Sequence, residues 1–300
     1  MAALGLARRG RRVLMLDRAS RGRWKVCGCC LGQVGVSTLR EAGLEHILDK
    51  SCQLERVTLA ANGAAATLPF RGFAGISRED LDTGLESAAI DAGVAVRWGT
   101  SATAQRDGAV TLSDGSAVHA RVIIDATGLR GQNVGEERIA PSARMGLGLT
   151  TDNVRCSSRE LTMAVAHHGY LGRVALPDGR VDFAAAVLPS FVRAHRSTTA
   201  AMRAIWSEAG MDPDEVPDGM WRGTPALTRS KRAQDGRILR VGDAAGYVEP
   251  FTGEGMSWAM LAGWRAADDA IACAERGPAA SRWPITLQRL LRRRHARCRV

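Results

Sequence analysis

The 300-residue sequence has no apolar run long enough to cross a bilayer, and aromatic residues make up only 5% of it. A membrane-spanning helix needs about 20 consecutive apolar residues, so none is predicted. The arginines are scattered with few aromatics between them, unlike a base-stacking RNA-binding sheet. We therefore expect no nucleic-acid partner, although the formal charge is +10. The densest basic run, 292–297, is typical of a solvated helix face, and peripheral contact with an anionic membrane is the alternative.

The sequence also lacks the regular cysteine spacing of a disulfide-bonded scaffold. Its seven cysteines are an odd number, which indicates a reducing compartment and predicts a cytoplasmic protein. Three of them, Cys27, Cys29 and Cys30, lie close together, but no second Cys/His pair stands at zinc spacing. No metal site is therefore predicted. No secretory signal is visible either, because the arginines between positions 8 and 12 interrupt any apolar N-terminal stretch.

The most informative stretch is Val-Gly-Asp-Ala-Ala-Gly-Tyr-Val-Glu-Pro-Phe-Thr-Gly-Glu-Gly-Met, residues 241–256. It follows a short apolar run at 237–241, a predicted strand, and precedes a predicted helix rich in small residues. Asp243 stands where the strand ends, at the ligand-facing edge of an open α/β sheet. Gly253 and Gly255 place no side chains at the N-terminus of the predicted helix. Backbone N–H groups and the positive end of the helix dipole can then face an electron-rich ligand.

This stretch resembles the second flavin motif of the FAD-dependent oxidoreductases. The variant is similar to that of the geranylgeranyl reductase group, within the aromatic-hydroxylase (p-hydroxybenzoate hydroxylase-like) superfamily. The resemblance implies that Asp243 binds the ribityl chain of FAD. It also implies that the backbone of Gly253, Gly255 and Met256 faces the pyrimidine edge of the flavin. The alternative is an ordinary glycine-rich strand–helix turn, which a Gly-Asp pair alone would favour over a flavin motif.

The first residues predict a helix over 1–12 and a strand over 12–17 that ends in Asp17. This pattern is typical of the second half of a dinucleotide-binding βαβ unit. In that unit an acid at the strand end accepts hydrogen bonds from the ribose hydroxyls. The strand and the Gly-x-Gly-x-x-Gly loop of the first half do not precede it. We therefore expect that the recorded sequence starts inside the fold. An inactive fragment without the pyrophosphate-binding loop is one alternative.

Residues 23–31 resemble a Lys-x-Cys-Gly segment that runs beside the flavin in the same family. The resemblance implies flavin contact at Cys27, Gly28 and Cys30, mostly through the backbone. A loop with incidental cysteines is the alternative.

Two further positions are matched by the family resemblance. Arg78 follows Ser77, the predicted cap of a helix, and stands where the family has an arginine that contacts FAD. A cation is mildly unfavourable at a helix N-terminus, which favours an anionic partner such as the pyrophosphate. At the position of Ala102, the backbone of the family's members runs along the adenine of FAD.

We predict an α/β fold. An FAD-binding dinucleotide fold, with a parallel sheet that lacks its first strand, carries an inserted α+β substrate domain of antiparallel strands. Residues 1–134 form the first part of the FAD-binding domain, with a substrate-side hairpin near 54–70 around Asn62-Gly63. Residues 135–230 form the substrate domain. Residues 231–300 form the second part of the FAD-binding domain and a C-terminal helix.

The predicted function is FAD-dependent oxidoreduction. The first hypothesis is a reductase or dehydrogenase that acts on an apolar unsaturated small molecule, with NADPH as a transient reductant. The alternative is an FAD-dependent monooxygenase that uses NAD(P)H and oxygen. The hydroxylases of the family usually carry a histidine where this sequence has Gly246. A flavin-dependent halogenase ranks last, because its Trp-x-Trp-x-Ile-Pro signature is absent. No catalytic side chain is predicted, since the flavin carries the chemistry, and the sequence indicates no oligomeric state.

Overall fold

The computed structural model describes residues 1–106, 108–130, 138–247, 251 and 253–298, and the following account concerns those residues. Their helices are α1 (Ala2–Ala7), α2 (Gln33–Glu41), α3 (Arg78–Asp91), α4 (Pro189–Arg193), α5 (Thr198–Glu208), α6 (Gly255–Arg276) and α7 (Trp283–Cys298). None of the described helices is long and apolar enough to span a bilayer.

The strands divide among several sheets. In chain order they are β1 (Leu14–Leu16), β2 (Cys30–Leu31), β3 (Cys52–Ala61), β4 (Ala64–Gly75), β5 (Ala95–Arg97), β6 (Ala102–Arg106), β7 (Ala109–Leu112), β8 (Ala117–His119), β9 (Ile123–Asp125), β10 (Arg138–Ile139), β11 (Met145–Thr151), β12 (Glu160–Ala166), β13 (Gly169–Ala175), β14 (Val181–Val187), β15 (Arg222–Ala226), β16 (Arg229–Ser230), β17 (Gln234–Asp235), β18 (Ile238–Arg240) and β19 (Gly246–Tyr247).

The largest sheet has eight strands in the order β15-β11-β14-β13-β12-β3-β4-β2. Its neighbours are antiparallel except β12 and β3, which run parallel. The predicted hairpin at 54–70 is confirmed, and its strands extend it to 52–75. Asn62 and Gly63 both have positive φ, at 51° and 77°, as a type I′ turn requires. The hairpin therefore continues the antiparallel sheet built from residues 145–187.

The parallel strands lie apart from this sheet. β1 pairs in parallel with β5, and β9 pairs in parallel with β18. Since the carboxyl ends of parallel strands meet at one edge, Asp17 follows β1 at the edge of one pair. Asp125 and Asp243 lie at the corresponding edge of the other pair. The mixture of parallel and antiparallel strands confirms the predicted α/β class.

Two apolar clusters fix the elements that carry the predicted flavin-contacting loops. On the large sheet, Phe183 packs with Trp206 and other side chains of α5. A second cluster joins Leu4 of α1, Leu39 of α2 and Met260 of α6 with Leu31. Full burial of one such side chain contributes about 1.5–3 kcal/mol. The second cluster therefore holds the start of α6 against the loop that ends at Leu31.

The first helices of the chain are short. The helix predicted over 1–12 ends at Ala7, and Gly10 lies in the following turn with a φ of 72°. The next helical part of the chain consists of two elements, α2 and a 3₁₀ turn at Glu45–Lys50. Gly43, with a φ of 61°, separates them, because a left-handed residue cannot continue an α-helix.

Candidate functional site

The structure brings the loop before α6 against the loop that contains Cys30. A Cβ placed on Gly253 would lie 3.3 Å from Cys30 Cβ, and Gly253 has a φ of 72°. A Cβ on Gly32 would lie 3.1 Å from Glu254 Cγ. The Gly32 N–H donates a hydrogen bond of 3.0 Å to Ser257 Oγ. Two of the predicted flavin-contacting segments are therefore in direct contact.

The Gly253 loop leads into the N-terminus of α6. The helix has 22 residues and begins at Gly255; no side chain caps it, and its first turn has no acidic residue. Its first N–H groups lack intrahelical acceptors, and the helix dipole is positive there. Met256 is buried in the apolar cluster with Leu31, so packing accounts for its side chain, and contact of its backbone with the flavin stays a prediction.

Asp243 lies in a 3₁₀ turn, Gly242–Ala245, directly after β18. A Cβ on Gly242 would lie 3.2 Å from Ala259 Cβ, so this turn packs against α6. The neighbouring strand β9 ends at Asp125, whose Oδ1 accepts hydrogen bonds from Thr127 N–H and Oγ1 at 3.1 and 2.5 Å. The Asp243 turn and the Ala-Thr-Gly turn at 126–128 therefore lie at the same sheet edge.

Asp17 and Ala102 form a second group. The Asp17 Oδ1 accepts a hydrogen bond of 2.8 Å from Ala19 N–H. Its backbone carbonyl accepts one of 2.9 Å from Thr100 N–H. Ala102 begins β6, and Leu16 and Ala102 pack on the same apolar cluster. The two residues that the resemblance assigns to the adenosine part of FAD are therefore neighbours.

Arg78 is paired within the protein. Its Nε and an Nη donate to the two carboxylate oxygens of Asp82 at 3.1 and 2.9 Å, and Lys25 Nζ donates to the same group at 2.6 Å. Burial raises the pKa of Asp82, but Arg78 and Lys25 outweigh it and hold that pKa below its usual value. The unfavourable position of Arg78 at the start of α3 is thus balanced by Asp82. Contact with the pyrophosphate remains a prediction.

The three neighbouring cysteines lie on the large sheet. A Cβ on Gly28 would lie 3.6 Å from Ala184 Cβ of β14. Cys29 has a φ of 48° and is buried. Interaction with Cys29 lowers the pKa of Cys27 below its usual value, with burial opposing the shift and Arg78 supporting it. The segment that contains Cys27 therefore packs on β14, and its contact with the flavin stays a prediction.

An aromatic wall borders this loop. Phe70 and Phe73 stack with ring centroids 3.8 Å apart, and Tyr170 and Phe251 meet edge to face at 5.1 Å. Phe70, Phe73 and Tyr170 pack on the cluster that contains Cys29 and Cys30. A Cβ on Gly32 would lie 3.2 Å from Phe73 Cε1. These four aromatic residues, which we call the aromatic wall, present an apolar surface next to the Gly253 loop.

Sequence reasoning missed two residues of this region. Ser257 is fully buried and fastens α6 to Gly32. Asp182 is also buried, and its Oδ1 accepts a hydrogen bond of 2.7 Å from Thr150 Oγ1. An acid in the apolar strand 181–187 was the available signal for Asp182, since an acid is rarely buried without a partner. Ser257 gave no such signal.

The residues present fit FAD. Gly253 offers bare backbone, the N-terminus of α6 is uncapped, and the acids Asp17 and Asp243 follow β1 and β18. These are donors and acceptors of the kind that a dinucleotide uses. The fold and the site define a dinucleotide-binding flavoprotein. Residues 1–283 match the FAD binding domain family, and the chain belongs to that family.

Relatives in this family are named as reductases. The menaquinone reductase of Mycolicibacterium smegmatis is 27% identical over an alignment of 321 positions, which covers 96% of this chain and 77% of that protein. The geranylgeranyl diphosphate reductase of Rhodobacter capsulatus is 27% identical over 301 residues, which cover 92% and 73%. The predicted resemblance is therefore confirmed, and the chain is an FAD-dependent oxidoreductase.

Solved structures share the fold. A myxobacterial chondrochloren halogenase superposes with a TM-score of 0.76 at 21% identity, covering 91% of this chain and 71% of that one. A flavoprotein/dehydrogenase from Cytophaga hutchinsonii gives a TM-score of 0.74 at 19% identity, covering 91% and 76%. At these identities the likeness concerns the fold alone. The domain boundaries at 134/135 and 230/231 and the individual FAD-contacting residues remain predictions.

Proposed function

We propose that the protein is a reductase that uses FAD to reduce an apolar unsaturated small molecule. The observation that carries this proposal is the aromatic wall beside the Gly253 loop, because an apolar surface there favours an apolar substrate over a polar one. The names of the relatives from Mycolicibacterium smegmatis and Rhodobacter capsulatus agree with a reductase.

In this proposal each part of the site has a defined task. Asp243 accepts hydrogen bonds from the ribityl hydroxyls, and Asp17 with the backbone at Ala102 holds the adenosine part. The backbone N–H groups at Gly253, Gly255 and Met256 stabilise negative charge at the pyrimidine edge of the flavin, as donors placed before charge develops. Cys27, Gly28 and Cys30 line the flavin, and Arg78 balances the pyrophosphate charge. Bound FAD supplies the hydride chemistry, with NADPH as the transient reductant.

Anaerobic turnover tests the reaction class. The FAD-loaded protein is incubated with NADPH and a long-chain apolar alkene or quinone in the absence of oxygen, and the products are identified by mass spectrometry. We expect a product that is two hydrogens heavier. Turnover that requires oxygen and yields a hydroxylated product would contradict the reductase and select the monooxygenase.

We also propose that the protein meets an apolar substrate at a membrane surface from the cytoplasmic side. The net charge of +10 favours an anionic bilayer, and the six cysteines whose side chains are described are free thiols, as in a reducing compartment. Sedimentation with anionic vesicles at low salt, compared with neutral vesicles, tests this contact. Equal binding to both would contradict an electrostatic attachment.

A further inference from the structure

A row of aromatic rings joins α4 to the turn between β12 and β13. The rings of His167 and His168 meet edge to face with centroids 4.8 Å apart, and His168 stacks on Phe191 at 4.8 Å. The His195 ring lies 4.4 Å from that of Phe191, and its Nδ1 lies 2.8 Å from the Phe191 carbonyl oxygen. The Leu188 N–H donates a hydrogen bond of 3.1 Å to the His168 carbonyl. The turn and α4 therefore form one continuous surface.

The rings on this surface are only partly covered. His167 is exposed, and His168, Phe191 and His195 are half-buried. Phe191 packs against the apolar cluster that contains Trp206 but is not fully enclosed by it. A histidine ring has an apolar body and a polar tip. Side chains of this kind suit the boundary between water and an apolar phase.

Two arginines give the same surface a positive charge. Arg193 and Arg196 are exposed on and just after α4, and neither forms an ion pair within the described residues. The carboxylate of Glu208 lies at the turn, where its Oε1 accepts a hydrogen bond of 2.7 Å from the His167 N–H. The two guanidinium groups are therefore available to an anionic partner. We call this surface the α4 patch, and it consists of His167, His168, Phe191, Arg193, His195 and Arg196.

The α4 patch borders the aromatic wall. Tyr170, which meets Phe251 in that wall, follows His168 by two residues, about 7 Å along an extended chain. Val187, the last residue of β14, pairs with Gly169, the first residue of β13. The chain that leaves β14 therefore enters α4 at the same end of the sheet as Tyr170. A ligand that crosses the α4 patch reaches the aromatic wall directly.

The basic run at 292–297 lies elsewhere in the fold. It belongs to α7, and Trp283 at the start of α7 shares a cluster with Ala270 and Cys273 of α6. Ala270 stands about 20 Å along α6 from Gly255, at a rise of about 1.5 Å per residue. The start of α7 is therefore attached to the far end of α6, away from the Gly253 loop.

We propose that the α4 patch is the surface with which the protein binds an anionic membrane. The guanidinium groups of Arg193 and Arg196 contact the lipid phosphates. The ring row lies at the boundary of the hydrocarbon, where amphipathic side chains are stabilised. The proposal rests on the proposed function, since an apolar substrate dissolved in the bilayer would reach the aromatic wall across this surface. It assigns the membrane contact to the α4 patch and not to α7.

Vesicle sedimentation tests the surface. The FAD-loaded protein is sedimented at physiological ionic strength with vesicles of phosphatidylcholine, or of an equal mixture of phosphatidylcholine and phosphatidylserine. Arg193→Gln with Arg196→Gln removes two charges from the α4 patch. Arg289→Gln with Arg292→Gln removes two exposed charges from α7 and is the matched control. Both double variants have the same net charge, so a difference between them reports position alone.

We expect the α4 double variant to lose about thirtyfold in its partition coefficient for the phosphatidylserine mixture. Each arginine close to an anionic bilayer contributes about fivefold, and the two contributions multiply. The α7 double variant should change by about twofold or less, because charges more than about 8 Å from the lipid are screened at this ionic strength. Flavin absorbance and the free energy of unfolding should match in all three proteins, since the substituted side chains are exposed.

An equal loss in the two double variants would overturn the proposal, because net charge alone would then account for binding. A larger loss in the α7 double variant would overturn it as well and would assign the contact to α7. If the unaltered protein does not sediment with the phosphatidylserine mixture, the membrane contact itself is wrong and the α4 patch has no such role.

Failure of this proposal is distinguishable from failure of the proposed function, because sedimentation requires no turnover. If the α4 double variant loses binding as expected but the unaltered protein reduces neither alkene nor quinone, the surface stands and the reaction class is wrong. If the unaltered protein reduces a detergent-dissolved substrate but the two double variants bind vesicles equally, the reductase stands and the assignment of the α4 patch is wrong.

Discussion

The backbone N–H of Gly32 and the hydroxyl of Ser257 are joined by a hydrogen bond of 3.0 Å between positions 225 residues apart. Gly32 follows the cysteine loop, and Ser257 lies in the first turn of α6. Both are buried. This bond fixes the N-terminus of α6 against the loop that contains Cys30, and the distance between the two proposed flavin-contacting segments depends on it.

Ser257→Ala should destabilise the protein by about 1–3 kcal/mol, because the Gly32 N–H would be buried without an acceptor. The free energy of unfolding from urea titration measures this loss. Ser116→Ala, on an exposed hairpin turn, is the matched control and should change stability by about 0.5 kcal/mol or less. FAD affinity should fall as well in Ser257→Ala. Equal stability of the two variants would show that the bond contributes nothing.

Asp243→Ala should weaken FAD binding by about 1–3 kcal/mol, since the ribityl hydroxyls would lose a buried acceptor. This corresponds to an increase in Kd of about 5- to 150-fold. The flavin absorbance retained after dialysis against decreasing FAD concentrations gives the Kd. Asp152→Ala, an exposed acid on a surface turn, should bind FAD as the unaltered protein does. Equal affinity in both variants would argue against the assignment of Asp243.

Local signals predicted much of the fold. The Asn62-Gly63 pair favours a tight turn because both residues adopt positive φ. The hairpin could therefore be predicted from these two residues. Ser77 caps α3 by accepting a hydrogen bond from Asp80 N–H at 3.0 Å, as expected from its position. The strand and helix on either side of the Gly-Asp motif also agree with β18 and α6.

The contacts between distant segments could not be predicted in this way. The pairing of β3 with β12 in parallel depends on which apolar faces pack together, and no turn sequence encodes it. Thr150 likewise meets Asp182 and Trp24 only after β11, β14 and the loop before Cys27 have assembled. The sequence therefore predicts flavin-contacting residues through a family resemblance, whereas the hydrogen bonds from Trp24 to Thr150 and from Thr150 to Asp182 became visible only in the folded chain.

The ion pairs of Asp82 predict a loss of stability in acid. Its pKa is lower in the folded protein than in the unfolded chain, so the ionised group stabilises the fold above the unfolded pKa of about 4. This contribution is lost as the pH falls below about 4, through the lowered pKa of the folded state. Asp82→Asn should therefore show a flatter dependence of unfolding free energy on pH below 5 than the unaltered protein. Asp91→Asn, exposed on the same helix, is the control, and an equal effect of both substitutions would contradict a specific role of the pairs with Arg78 and Lys25.

Gly253→Ala should weaken FAD binding by more than its loss in free energy of unfolding explains. Alanine at a φ of 72° costs about 1–2 kcal/mol, and its Cβ would lie 3.3 Å from Cys30 Cβ, which is closer than ordinary van der Waals contact. The loop must shift away from Cys30 to accept the methyl group. Since we propose that the Gly253 backbone faces the flavin, this shift moves its N–H away from the pyrimidine edge.

Gly179→Ala separates the two effects of that substitution. Gly179 has a φ of 87°, but a Cβ placed on it would meet no atom within 4 Å. The variant should therefore lose a similar free energy of unfolding to backbone strain while its Kd for FAD stays unchanged. Gly253→Ala should lose stability and in addition show a Kd raised by about tenfold, the equivalent of about 1.4 kcal/mol. Both quantities come from the same two preparations, by urea titration and by flavin absorbance. If the two variants lose equal stability and bind FAD equally well, Gly253 is only a turn residue and another segment faces the flavin edge.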